Sequence, residues 1–167
     1  QMKRALFPAI GFMVFMAASV GASAAQDASW DKVKAKGELV IGIDDAFPPM
    51  EFRNEKNELV GFHIDASKEL ARRLGITVRH QPTAWKGVIM SLKTGKFDII
   101  WSGMSITAER EKEIAFTKPY IMEKQIVIVK AGNQKITGLM DLGPATTMGV
   151  QLGSTSEEAL AKLGRKF

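Results

Sequence analysis

Short apolar runs alternate along this chain with segments in which apolar residues recur at helical spacing. The runs at residues 38–43, 76–80 and 97–101 are typical of buried strands. Residues 62–74 and 85–92 have the apolar periodicity of helices. Strands separated by helices of these lengths indicate an α/β fold with a largely parallel sheet.

A second unit of the same kind begins near residue 130. Residues 125–130 predict a strand that leads into it, and residues 136–142 predict a short helical segment. Residues 146–150 then predict a strand and residues 156–166 a helix. One strand and one helix are too few to cover both faces of a sheet, so we expect only part of a second domain.

Residues 1–25 have the three-part pattern of a secretory signal peptide. Lys3 and Arg4 supply positive charge, residues 5–20 are uncharged, and small residues follow, with an A-x-A cleavage pattern at residues 22–24. The uncharged run of sixteen residues is shorter than the ~20 that span a bilayer. The pattern therefore favours a cleaved signal over a membrane anchor and predicts a periplasmic protein.

The charges and the rare residue types argue against several classes of function. Without Lys3 and Arg4 the chain has 21 basic and 18 acidic residues, a net charge of +3. Opposite charges alternate, as in residues 109–113, and do not form the basic stripe of a nucleic-acid surface. There is no cysteine, and His63 and His80 alone do not make a zinc site. We expect no cofactor, no metal and no nucleic-acid partner.

Open parallel sheets bind ligands beyond the carboxyl ends of their strands. The loop after residues 38–43 contains Asp44 and Phe47, and then Pro48 and Pro49, which fix φ and remove two N–H donors. Such a stiff loop can present Asp44 and Phe47 to a ligand. On these residues alone, however, a connecting loop with Phe47 in the core is the better interpretation.

Hydroxyl groups and a cation follow the third strand. Thr107 is a candidate helix N-cap, which places free backbone N–H groups beside Ser102, Ser105 and Arg110. Free amides, hydroxyls and a forked cation together suit a small carboxylate. The alternative, in which Arg110 pairs with acidic neighbours at the surface, is equally open at this point.

Seven stretches, taken in order, resemble the extracellular solute-binding proteins (family 3) that serve polar amino-acid importers of the ABC type. They are DDAFPPMEF (44–52), GFHID (61–65), WKGVI (85–89), GKFD (95–98), MSITAER (104–110), FTKPY (116–120) and GVQLGST (149–155). The resemblance covers essentially all of the chain after the signal. It implies an α/β, periplasmic-binding-protein-like two-lobed clamshell (type II) with the ligand in the cleft.

The resemblance also implies the ligand contacts. The residue matching Arg110 holds the α-carboxylate of the ligand, with those matching Gly103 and Ser105. Phe47 and Trp85 match residues that flank the ligand side chain, and Asp44 matches one that reaches its polar part. The full set of expected ligand-binding residues is Asp44, Phe47, Trp85, Ser102, Gly103, Met104, Ser105, Arg110, Gln151, Ser154 and Thr155.

The domain boundaries expected from the resemblance divide the chain into four parts. They are a signal peptide (1–25), a first lobe without its carboxy-terminal return (26–125), a hinge crossing (126–131) and a partial second lobe (132–167). The missing return, with Gln1 before Met2, indicates a fragment of a longer reading frame. The expected partners are a small-molecule amino acid and the membrane permease of an ABC importer, with the protein itself a monomer.

One residue departs from the family pattern, and the alternatives for function stay open. The family usually carries an acid after Gly-Phe, where this chain has His63, so we expect a small loss of stability at the helix start. The same clamshell is used by dehydratases of cyclic amino-acid precursors and by the sensor domains of kinases and channels. An enzyme needs an acid or base in the cleft, which the sequence does not indicate. Asp44 between Phe47 and Trp85 suits a basic amino acid or glutamine.

Overall fold

The computed structural model describes residues 28–143 and 145–164. The helices are α1 (Ser29–Lys36), α2 (Phe62–Leu74), α3 (Val88–Lys93), α4 (Ala108–Glu111) and α5 (Thr155–Lys162). The strands are β1 (Glu38–Ile43), β2 (Ala46–Phe47), β3 (Glu51–Arg53), β4 (Leu59–Val60), β5 (Thr77–Pro82) and β6 (Ile99–Ile100). Within the described ranges, no helix has both the length and the apolar character that crossing a membrane requires. The predicted signal peptide lies outside them.

A parallel sheet of order β5-β1-β6 forms the centre of the molecule. Its middle strand, β1, is buried because helices cover both faces. Ile41 and Ile43 pack with Ile64 of α2 on one side, and Val40 packs with Val88 and other apolar side chains on the other. This arrangement confirms the predicted α/β class and brings the carboxyl ends of β1 and β6 to one edge.

The sequence pattern predicted the limits of one strand and two helices closely. β1 and α2 have the predicted limits, and α2 ends at Gly75, whose φ of 68° is left-handed. The predicted helix at residues 85–92 is a 3₁₀ turn, Trp85–Gly87, followed by α3. Glycine is suited to the end of α2 because it adopts positive φ without strain.

A small antiparallel sheet of order β2-β3-β4 was missed from the sequence, as was α1. The three strands have two or three residues each, which is too short for an alternating pattern to be recognised. This sheet matters because it holds the loop after β1 and carries Glu51. In α1 the buried residue is Val33. A single buried position gives almost no apolar stripe from which the helix could be predicted.

The strands predicted at residues 125–130 and 146–150 were wrong. No strand occurs in the described part of the chain beyond β6. A run of β-branched residues forms a strand only beside a partner that takes its hydrogen bonds, and here the run is exposed, with Ile126 at 76% and Ile128 at 85%. Residues 136–142 contain only a 3₁₀ turn, Leu139–Asp141, whereas α5 agrees with the predicted helix.

Candidate functional site

A cleft of about 880 Å³ opens beyond the carboxyl ends of β1 and β6, between these loops and the start of α5. This volume lies in the usual range for small-molecule sites. The lining includes ten of the eleven predicted ligand-binding residues: Asp44, Phe47, Trp85, Ser102, Gly103, Ser105, Arg110, Gln151, Ser154 and Thr155. The eleventh, Met104, packs instead against the core cluster of Val40, Val88 and Phe97. Ligand contact by these residues remains a prediction.

Arg110 is buried at the cleft, with 7% of its surface exposed. Thr107 begins α4 as predicted, and its hydroxyl accepts a hydrogen bond from the Arg110 amide at 3.3 Å. The guanidinium donates to the carbonyl oxygens of Ser105 at 2.9 Å and Gly153 at 3.0 Å. Since a guanidinium has five N–H donors, three are left for a ligand.

The alternative interpretation of Arg110 as a surface ion-pair partner is wrong. Of the acidic residues that follow it, Glu113 pairs with Lys93 at 2.5 Å, and the Lys93 cation lowers the pKa of its carboxyl. In the described ranges Arg110 has no carboxylate within ion-pair distance. Among the described residues, its charge is therefore not neutralised by a direct ion pair.

The start of α5 faces Arg110 across the cleft. Ser154 caps this helix by accepting a hydrogen bond from the Glu157 amide at 3.3 Å. The hydroxyl of Thr155 lies 3.5 Å from that of Ser105 and accepts a hydrogen bond from Gln125 at 3.0 Å. Free amides at a helix start favour an anion. The start of α5 and Arg110 therefore both favour an anion in the same part of the cleft.

Asp44 is held by contacts on three sides. Its amide donates to the hydroxyl of Ser102 at 2.9 Å, and its Oδ1 accepts from the Ala46 amide at 3.0 Å. Its Oδ2 accepts a hydrogen bond from Nε2 of Gln151 at 2.5 Å. Asp44 thus links the loop after β1 to the loop before α5 and keeps a carboxylate at the wall of the cleft.

Phe47 lies in the cleft and not in the core, so the core interpretation of this residue is wrong. It is 39% exposed and its ring packs over Gly103. Gly103 has a φ of +61°, and a Cβ there would lie 2.9 Å from Cε1 of Phe47. Glycine is needed for both reasons, because a side chain would be strained in this backbone and would push the ring into the cleft.

Gly103→Ala is therefore expected to lower the free energy of unfolding by roughly 1–3 kcal/mol and to weaken ligand binding as well. The added methyl group displaces Phe47 while the backbone strain remains. Chemical denaturation and calorimetric titration measure the two effects. Gly87→Ala is the matched control, since Gly87 has a φ of −107° and nothing within 4 Å of its Cβ position. Equal losses in both variants would contradict the prediction.

Glu123 is a cleft residue that the sequence did not single out. It lines the cavity, and its carboxylate accepts a hydrogen bond from the hydroxyl of Ser105. In the sequence, the feature that could have pointed to Glu123 is an acidic residue shortly before the apolar run at 126–129. With Asp44, Glu123 gives the cleft two carboxylates, neither of which forms an ion pair with Arg110. Within the described ranges, no group of three or more His, Cys, Asp or Glu side chains could hold a metal ion.

A buried hydrogen-bond chain behind the cleft also escaped the sequence interpretation. Glu51 is fully buried and His63 is 1% exposed. The Nδ1 of His63 lies 2.5 Å from Oε2 of Glu51, and its Nε2 lies 2.9 Å from the hydroxyl of Tyr120. The other oxygen of Glu51 accepts a hydrogen bond from Ser102. His63 is thus the partner of a buried acid, a role that its place at the start of α2 did not indicate.

Comparison with known proteins identifies relatives of this chain. Residues 39–166 match the family model of the bacterial extracellular solute-binding proteins, family 3. The chain is 32% identical over 138 residues to the L-cystine-binding protein TcyJ of Escherichia coli strain K12, covering 83% of this chain and 52% of that protein. It therefore spans about half the length of this relative.

Two solved structures show the same fold. One is the ancestral amino acid-binding protein AncCDT-1, a precursor of cyclohexadienyl dehydratase, with 42% identity and a TM-score of 0.76 over 79% of this chain and 59% of that one. The other is the arginine-bound form of domain 1 from TmArgBP, with 47% identity and a TM-score of 0.52 over 54% of this chain and 71% of that one. The predicted clamshell fold class of type II is thereby confirmed.

Proposed function

The chain belongs to the bacterial extracellular solute-binding proteins of family 3, and we propose that it binds a polar amino acid with a cationic side chain and delivers it to an ABC importer. The receptor acts in the periplasm. Its ligand lies in the cleft between the loops after β1 and β6 and the start of α5.

The observation that carries this proposal is the state of Arg110. Its guanidinium is buried, touches only neutral carbonyl oxygens, and has three N–H donors directed to no other described group. A carboxylate in the cleft supplies the missing counter-charge and receives forked hydrogen bonds. Every free amino acid has such a carboxylate. The backbone amides at the start of α5 also favour an anion.

Four further residues of the lining support a cationic partner for the carboxylate. Asp44 and Glu123 attract an ammonium or guanidinium group, while Phe47 and Trp85 offer aromatic faces on which a guanidinium stacks. Domain 1 of TmArgBP, similar to 54% of this chain, is arginine-bound. TcyJ, by contrast, is named for L-cystine, so arginine is our first choice among several amino acids.

The remaining parts of the proposal concern export, partners and domain limits. Residues 1–25 act as a cleaved signal peptide, and residues 126–131 form the crossing between the lobes. The ligand-loaded monomer then docks on the membrane permease of the importer. The family description as extracellular proteins supports the export step.

A binding protein is favoured over an enzyme on the same fold. Within the described residues, the cleft carboxylates Asp44 and Glu123 already accept hydrogen bonds from the side chains of Gln151 and Ser105. The Ser102 hydroxyl, which also lines the cleft, donates its proton to Glu51 while its oxygen accepts the Asp44 amide. This hydroxyl is therefore held in structural contacts and is not free to attack a ligand. We expect no turnover of cyclic amino-acid precursors, in contrast to a dehydratase.

The test is a thermal-shift screen of the protein from residue 26 onwards against the proteinogenic amino acids and L-cystine. We expect arginine or another basic amino acid to raise the unfolding midpoint, because a ligand at 100 times its Kd stabilises the folded state by about 2.7 kcal/mol. Arg110→Ala is the control and is expected to lower the rise strongly, because it weakens binding. A midpoint that no amino acid changes would contradict the proposed function.

A further inference from the structure

A continuous chain of hydrogen bonds runs from the surface to the cleft through Tyr120, His63, Glu51 and Ser102. Its four members come from four places in the fold: the segment after α4, the first turn of α2, β3 and the loop after β6. The last step joins Ser102 to the amide of Asp44. The chain thus ends on a residue that lines the cleft.

We propose that Glu51 is a positioning residue for the ligand site, acting through Ser102 on the loop that carries Asp44. The inference rests on the proposed function, since it concerns how well the cleft receives an amino acid. Glu51 is not among the residues that line the cleft, but its carboxylate accepts a hydrogen bond from Ser102, which does line it, and its backbone pairs with that of Phe47 in the small sheet.

The direction of the hydrogen bonds carries the argument. The Ser102 hydroxyl has a single proton, and the Glu51 carboxylate can only accept, so that proton is committed to Glu51. The lone pairs of the same oxygen are then turned to the Asp44 amide at 2.9 Å. Without an acceptor at residue 51, the hydroxyl is free to rotate, and the backbone at Asp44 loses a fixed partner.

The other side of Glu51 holds the carboxylate in place. A buried charge is tolerated only when it is paired and hydrogen-bonded, and His63 provides the contact at 2.5 Å. Tyr120 in turn satisfies the second ring nitrogen of His63 at 2.9 Å. Partial burial raises the pKa of the Tyr120 phenol, so its hydroxyl keeps the proton that lets it serve a histidine in either tautomer.

The experiment combines two readouts on wild type, Glu51→Met, Glu51→Gln, Ser102→Ala and the Met–Ala double variant. Calorimetric titration with L-arginine measures affinity, and the nitrogen–proton correlation spectrum of the ligand-free protein follows the Asp44 amide. Glu58→Met is the matched control, because Glu58 lies on the exposed turn before β4, where its contact is with Asn54.

Glu51→Met is expected to weaken L-arginine binding by roughly 5- to 150-fold, the range for leaving buried polar partners unsatisfied, and to move the Asp44 resonance. Glu51→Gln recovers most of the affinity, because its amide oxygen accepts from Ser102 and its amide nitrogen donates to the other tautomer of His63. In the Ser102→Ala background, Glu51→Met has little further effect on affinity. Glu58→Met changes neither readout.

The outcomes separate the two proposals. If Glu51→Met lowers the unfolding midpoint but binds L-arginine as wild type does, Glu51 is only structural and the inference is overturned. If wild type binds neither L-arginine nor another amino acid, the proposed function is wrong. The positioning role is tested separately, and an Asp44 amide resonance in Glu51→Met at the wild-type position overturns it. If Glu51→Met does not fold, the Asp44 resonance in Glu51→Gln and Ser102→Ala decides, and a resonance that stays at the wild-type position in both is the contrary result.

Discussion

Arg110→Ala is expected to weaken amino-acid binding by about 30- to several-thousand-fold, the equivalent of roughly 2–5 kcal/mol for removing one partner of a buried charged pair. The ligand carboxylate then enters the cleft without its counter-charge. The carbonyl oxygens of Ser105 and Gly153 also lose their donor, so the contact between the loop after β6 and the start of α5 is weakened in the same variant.

Arg110→Lys is expected to recover only part of this loss. An ammonium group is a point charge and cannot serve two carbonyl oxygens and a carboxylate with the planar fork of a guanidinium. Calorimetric titration of wild type and both variants with L-arginine measures the differences. Arg72→Ala is the control, because Arg72 is exposed and pairs with Glu69, where it helps to lower the pKa of that carboxyl to about 2.

A change of at most about 1 kcal/mol in the free energy of ligand binding in Arg110→Ala, which is the range of a surface ion pair, would contradict the assignment of Arg110 to the binding site. The family and the fold would stand in that case. The Arg72→Ala control shows whether a loss of affinity follows from the removal of any arginine or only of the one in the cleft.

The parts of the fold that the sequence predicted are those in which one pattern repeats over enough residues. β1 is a continuous apolar run, and α2 has apolar residues at helical spacing and a glycine stop, so both were predicted with their observed limits. Ten of the eleven residues predicted from the resemblance, and from the rule that ligands bind beyond the carboxyl ends of parallel strands, line the cleft. Met104 is the exception, because its side chain turns to the core.

The parts that were missed depend on contacts between residues far apart in the sequence. No sequence pattern near Glu51 or His63 indicates that the two side chains meet, since they lie on β3 and α2, which are separated by a turn and the short strand β4. In the opposite sense, residues 125–130 have the local pattern of a strand but lack a neighbouring strand in the described part of the chain. The local β-propensity of a segment does not show whether a neighbouring strand is present to pair with it.

The buried pair of Glu51 and His63 gives the largest expected effect on stability. His63→Ala is expected to lower the free energy of unfolding by about 3–5 kcal/mol, because removal of one partner leaves a charge buried without compensation. The carboxylate of Glu51 is fully buried, and after the substitution its remaining hydrogen-bond donor is the Ser102 hydroxyl. This is far more than the change expected for a residue whose only role is at a helix start.

Urea denaturation of wild type, His63→Ala and His63→Gln measures this effect, with Phe62→Ala as the control from the same turn of α2. Phe62 is 52% exposed and its ring lies 5.4 Å from that of His63, so its truncation removes a neighbour of the imidazole but keeps the contact with Glu51, and it is expected to cost less. Glutamine at residue 63 keeps an N–H donor for Glu51 and is expected to recover part of the loss. A loss of unfolding free energy below about 1 kcal/mol in His63→Ala is the range of a surface ion pair, and would contradict the assignment of His63 as the essential partner of the buried Glu51 side chain.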